Sequence, residues 1–267
     1  MLCRCRHQSP LPLLCILCIG AACGVARSQD IEPEVFRPRW KVGQKWVVET
    51  VGLQSPVRKV PTATAASRPV RWQFHVDGAE VIEGNNCFRV LLRCLEPGEN
   101  PETTLWVQQD SLTLLQIRLQ LPSQGGFRTV TETYRSDSGQ PFPAISALTV
   151  PPIDLPLFVA GVKGTSSFQY RASTAPEGAK DAASIDFAVS IQQQMTQPSD
   201  DDLRQLLPER FAKSAENAPV VEVRLKSGRS DVHQLWQEGS PWPVYSTNGV
   251  ATARLIRNED SADGAEG

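Results

Sequence analysis

The chain has 267 residues, and 27 lysines and arginines against 29 acids leave a formal charge of −2. No basic stripe runs along it, which excludes a nucleic-acid surface built on phosphate neutralisation. Its apolar stretch at residues 11–22 falls short of the roughly 20 residues that a membrane-spanning helix needs, and no later run is longer, so no transmembrane span is expected in the mature chain.

Arg4 and Arg6 open the sequence, and no acid precedes Asp30. With the apolar stretch and the small residues Ala26 and Ser28, this predicts a secretory signal over 1–28, cut after Ser28, with Ala26 as the alternative. The mature protein then starts at Gln29, carries a formal charge of −5, and is periplasmic or extracellular. A rival reading starts from "GAAC", which resembles a bacterial lipobox and would anchor the protein through a lipid on Cys23.

From residue 69 onward the dominant pattern is alternation, the mark of half-buried strands. "RPVRWQFHVDG" sets Val70, Trp72, Phe74 and Val76 against Arg71, Gln73, His75 and Asp77. "VIEGNN" is a turn, and "CFRVLLRC" the next strand. Its two cysteines lie seven residues apart, about 23 Å in extended chain, whereas a disulfide needs Cα atoms within about 7 Å. Both are therefore expected as free thiols, Cys94 buried with Phe88, Val90 and Leu92, and Cys87 on the face of Arg89 and Arg93. "TTLWVQQ", "LTLLQIRLQL" and "FRTVTETYR" follow across short turns, with Leu115, Ile117, Leu119 and Leu121 aligned in the second. Short connections of this kind give antiparallel neighbours.

Residues 141–162, "PFPAISALTVPPIDLPLFVAGV", break the cadence with five prolines and one charge, Asp154. Proline neither donates to a ladder nor continues a helix. The segment is expected to lie extended over an apolar surface with Leu155, Leu157 and Phe158 inserted, either as a fixed strap or as a flap over a cavity. Two half-sheets could meet near 141–164. "TSSFQYRAST" and "SIDFAVSIQQQ" resume the strands. "SDDDLRQLLPERF" is the one helical window, with Ser199 as its cap and three aspartates at its N-terminus. "VVEVRLK", "DVHQLWQ", "WPVYST" and "VATARLI" complete the sheet, the last two joined by Asn-Gly, a hairpin signal. Trp236 and Trp242 flank a turn, where their rings can meet as a structural pair or serve as a carbohydrate platform. "LWVQQDS" and "LWQEGSP" form an internal echo at 105–111 and 235–241. The tail, 258–267, holds nothing larger than Ala among its apolar residues and is expected to be disordered. The folded domain is placed at 29–257.

Catalytic signatures are missing from the sequence. It contains no His-Glu-x-x-His, Cys-x-x-Cys, Gly-x-Ser-x-Gly or phosphate loop. His75 and His233 fall on the polar sides of strands. No catalytic residue, metal ligand or cofactor is assigned. A hydrolase with a carboxylate site is the alternative reading, because Asp77, Glu80, Glu83 and Glu132 could share a face.

"WQFHVDGAEVIEGNNCFRVLL" and "TTLWVQQDSLTLLQIRLQL", within about residues 69–135, resemble in strand cadence the bacterial periplasmic half-barrel proteins of the lipoprotein-carrier and lipoprotein-localisation families. The resemblance implies a curved antiparallel sheet whose concave apolar face holds a lipid chain under helices. This chain offers one helix where those proteins use several, and no functional residue is carried over. The expectation is a mainly β protein, a curved sheet or half-barrel of about ten to twelve strands with one short helix and a proline-rich strap. Its role would be that of an exported non-catalytic envelope protein that binds an apolar small molecule or another envelope protein. The candidate ligand-binding residues are Trp72, Phe74, Ile117, Leu119, Leu157 and Phe158.

Overall fold

Among the described residues, alternating apolar residues and tight turns resolve into twelve strands. They are β1 (Lys45–Val51), β2 (Val70–Ile82), β3 (Asn85–Cys94), β4 (Thr103–Gln108), β5 (Leu114–Ser123), β6 (Gly126–Arg135), β7 (Gly164–Pro176), β8 (Ala183–Thr196), β9 (Val220–Lys226), β10 (Asp231–Trp236), β11 (Tyr245–Thr247) and β12 (Thr252–Glu259). The computed structural model describes residues 33–52, 68–97, 102–144, 156–159, 162–196, 219–227, 231–249 and 251–259. The predicted signal at 1–28, the predicted helix at 199–211, Leu155 and residues 260–267 of the tail lie outside them.

Each strand pairs antiparallel with its neighbours in sequence, and β1 closes the ring by pairing with both β2 and β12. The expected mainly β, curved antiparallel sheet of about ten to twelve strands is present, and it closes into a complete barrel. The half-sheets do not separate at the strap, because β6 and β7 pair directly from Val130↔Pro176 to Arg135↔Arg171. β12 runs to Glu259, two residues into the predicted tail.

Local backbone chemistry sets the register. Glu83 and Gly84, at φ 49° and 83°, form the two-residue connection between β2 and β3, where paired left-handed residues match the twist of the flanking strands. Bulges interrupt the pairings at Val47/Val48, Val76/Gly78 and Trp106/Val107. The last one places Leu114 in the core where the sequence pattern placed Leu115. Bulges bend a strand and add twist, which a sheet needs in order to close.

Eight strands make a barrel that side chains alone can fill, and twelve leave a wider lumen. This lumen is filled by large residues and by extra chain. Phe142, Ala144, Leu157, Phe158 and Val159 from the strap region join the same core cluster as the strand residues. The segment before β1, a 3-10 turn at Pro33–Phe36 and the residues after it, runs across one end. Arg37 donates to the Gln109 carbonyl beyond β4, Trp40 Nε1 donates to the Pro241 carbonyl at 2.7 Å, and the turn touches β9.

Several sequence expectations need correction. Cys87 and Cys94 are free thiols as expected, but their burial is reversed. Cys94 does share the inward face, yet it ends β3 at the rim, opposite half-buried Trp72. Cys87 faces outward with 0 % exposure, flanked by Glu80 and Gln108, and burial pushes its thiol pKa up. Trp236 and Trp242 are both buried, as a structural reading requires, but they turn into different neighbourhoods. Trp236 meets Phe158, and Trp242 meets Phe74, Trp46 and Trp40. The Leu-Trp echo has no structural counterpart. Trp106 lies outside, its indole donating to Glu80, whereas Trp236 points inward.

Candidate functional site

The lumen is where the sequence placed its ligand, and the site can be built from its wall. Inward positions on β8 and β10 are apolar except at Gln193, 1 % exposed, and Gln234, 0 % exposed. A buried side-chain amide without partners is costly, and so is a buried backbone N–H outside any ladder. Each meets the need of the other. Gln234 Oε1 accepts from the Leu157 N–H at 2.9 Å and from Trp236 Nε1 at 3.3 Å. Gln193 Oε1 accepts from the Val159 N–H at 3.3 Å, while its Nε2 donates to the carbonyls of Val159 and Val162 at 3.4 and 3.0 Å. Two glutamines thus hold the main chain of the strap inside the barrel.

The six predicted ligand residues occupy one apolar cluster. Phe74, Ile117, Leu119, Leu157 and Phe158 belong to the core, with Trp72 packed against it. Phe158 sets its ring edge-on to Trp236 at 5.8 Å. Phe74 lies 4.3 Å from Trp242 and 5.3 Å from Trp46, ring centre to ring centre. Trp72 donates to Thr50 Oγ1 at 3.0 Å near the rim. Leu157 and Phe158 stand in the core cluster, in the same lumen as the wall residues the sequence had assigned to a ligand, and Phe158 meets Trp236. Sequence reading missed Gln193 and Gln234, although their signal was present as polar residues at inward parity within "IQQQ" and "VHQLW".

The four acids considered for hydrolysis do not converge. Asp77 and Glu80 both pair with Arg89 on the outer wall, and Glu83 in its turn pairs with Arg135. Glu132 points inward between Val130 and Tyr134 with 0 % exposure. His233, on the polar side of β10, has a carboxylate partner. Its Nε2 lies 2.8 Å from Glu222 Oε1 across the β9–β10 hairpin. Arg224 makes a two-pronged contact with the same oxygen at 2.9 and 2.7 Å, and Gln194 donates to Oε2 at 2.8 Å. Burial holds the His233 pKa below its ordinary value against the pull of Glu222. The Arg224 and Gln194 bonds hold Glu222 below the usual carboxylate value despite its burial. These contacts tie β8, β9 and β10 together in an ionic clasp. Among the described residues, no three His, Cys, Asp or Glu side chains converge as metal ligands, and no helix is long and apolar enough to cross a membrane.

No family model and no curated protein matches the chain. A solved structure similar to it is the β-barrel-like protein of a domain of unknown function, DUF1849, from Brucella abortus. The two are 8 % identical, with a TM-score of 0.37 over 82 % of this chain and 97 % of the other. This chain is, on its own strand pairing, an antiparallel twelve-stranded β-barrel.

Proposed function

We propose that the protein is an exported, non-catalytic barrel of a bacterial envelope that binds an apolar ligand in its lumen in exchange for its own strap. Support comes from the way residues 157–159 are held. Their main chain hangs on two side-chain amides rather than on a strand ladder, so it can leave without unpairing the barrel wall. The strap covers Trp236 and shares its cluster with Phe74, Ile117 and Leu119, a lining suited to an acyl chain. Export rests on the pattern of residues 1–28, and lipid attachment at Cys23 is its rival. The resemblance in strand cadence to lipoprotein carriers, over about residues 69–135, first suggested this reading.

Native mass spectrometry of protein purified from its own envelope tests this directly, with a retained apolar mass as the expected result. Titration with oleic acid should also raise hydrogen exchange at the Leu157 and Val159 amides, because both lose their glutamine acceptors. A protein that carries no apolar mass, and whose strap exchange is unchanged at saturating oleic acid, would defeat the proposal.

A further inference from the structure

We infer that the lower half of the β6–β7 seam is a strand-addition site for an extended peptide from a partner protein. β7 is longer than its pairing with β6. Only Arg171–Pro176 has β6 partners, and Gly164–Tyr170 pairs with β8 alone. The direction of the unpaired groups follows from two hydrogen bonds. Thr133 Oγ1 donates to the Ser173 carbonyl and Ser136 Oγ to the Gln169 carbonyl, so odd-numbered residues of β7 point their N–H and C=O toward β6. In an antiparallel strand both groups of a residue point the same way. Thr165 and Ser167 therefore present free donors and acceptors on that side, with no backbone partner among the described residues. The Ser136 hydroxyl, bound to the Gln169 carbonyl, takes the place of the next rung.

Two further observations fit a partner strand. Exposed edges are normally guarded by lysine, proline, a bulge or an inward charge. The run Thr165–Gln169 has none of these, although the opposite edge of the same hairpin carries Asp186 on β8. Beside the unguarded edge lies a groove of about 640 Å³, walled on the far side by residues 135–140. Phe168, Tyr170 and Phe187 line it, the last two stacked at 5.0 Å, together with the Arg171–Asp186 pair at 2.7 Å. A single extended chain would run between the wall and the edge, pairing with Thr165 and Ser167 of β7 and turning alternate apolar side chains toward half-buried Phe168 and Phe187. A second barrel would bring its neighbouring strands with it, and the 135–140 wall stands where they would lie. This inference does not depend on a ligand in the lumen.

The test selects, against the full chain, from a displayed library of octapeptides that alternate polar and apolar residues. The selected peptide should slow hydrogen exchange at Thr165 and Ser167 and leave Leu157 and Val159 unchanged. N-methylation of its alternate amides should weaken binding about tenfold or more, because the rungs are main-chain bonds. Ser167→Pro should do the same while keeping the barrel, since its N–H faces away from β8 and edge strands accept proline. Thr165→Pro provides a second variant nearer the strand end. Selected peptides that tolerate N-methylation, or that bind both variants as well as the parent, overturn the inference. So does a library that yields no binder. Concentration-dependent protection of Thr165 and Ser167 without peptide would assign the edge to a second copy instead and equally overturn it.

Discussion

Phe158 tests whether the strap fills the lumen. It is 3 % exposed and stands edge-on to Trp236 at 5.8 Å. Phe158→Ala removes a ring from a site ringed by strand side chains that are themselves tied into ladders, so the wall cannot collapse onto the hole. Truncations of this kind cost about 3–5 kcal/mol, of which the lost edge-to-face contact accounts for roughly 0.5–1.5 kcal/mol. With a urea slope of about 3 kcal/mol per molar, the unfolding midpoint should fall by roughly 1–1.7 M. Equilibrium urea unfolding followed by tryptophan fluorescence reads this directly, because Trp236 reports on the same contact. A control at exposed Phe127, on the β5–β6 hairpin, should shift stability by less than about 0.5 kcal/mol. If Phe158→Ala were as mild as the control, the strap would not be part of the core and would not fill the lumen.

Gln193→Leu should cost about 1–3 kcal/mol by stripping the Val159 and Val162 groups of their partners, and amide exchange at Val159 should rise; an unchanged rate would show that the glutamine does not hold the strap. Without reductant, mass spectrometry should find Cys87 and Cys94 unlinked, with iodoacetamide labelling Cys94 before Cys87, whose thiol is buried and raised in pKa; a linked pair would mean that β3 is not extended. The folded pKa of His233 lies below its ordinary 6.5 and that of Glu222 below 4.5. The unfolded chain thus takes up each proton first, and stability should fall as pH drops through 6.5 and again through 4.5. His233→Gln should flatten the upper step in pH-dependent thermal unfolding, and an undiminished step would point to His75, whose pKa is also lowered. N-terminal sequencing of protein from its native host should begin at Gln29, and an acylated Cys23 would relocate the protein to a membrane surface.

Period-two alternation was enough to place most strands, because each has one face in the core and one toward solvent. It also separated the two cysteines, since extended chain cannot fold back over seven residues. Closure was not legible. β1, "KWVVETV", buries Trp46, Val47 and Val48 in succession, so its pattern does not alternate, and it is the strand that joins the two ends of the sheet. The bulge at Trp106/Val107 likewise moved the core position from Leu115 to Leu114, because register depends on the partner strand. Composition showed that residues 141–162 are too apolar for water and too rich in proline for a ladder. Only the barrel's width decided that part of the segment goes inside, since twelve strands enclose more space than their own side chains fill. The roles of Gln193, Gln234 and the Glu222–His233 contact depend on pairings between distant or adjacent strands. A local pattern carries burial and direction, whereas the identity of a neighbour across the barrel comes only from tertiary structure.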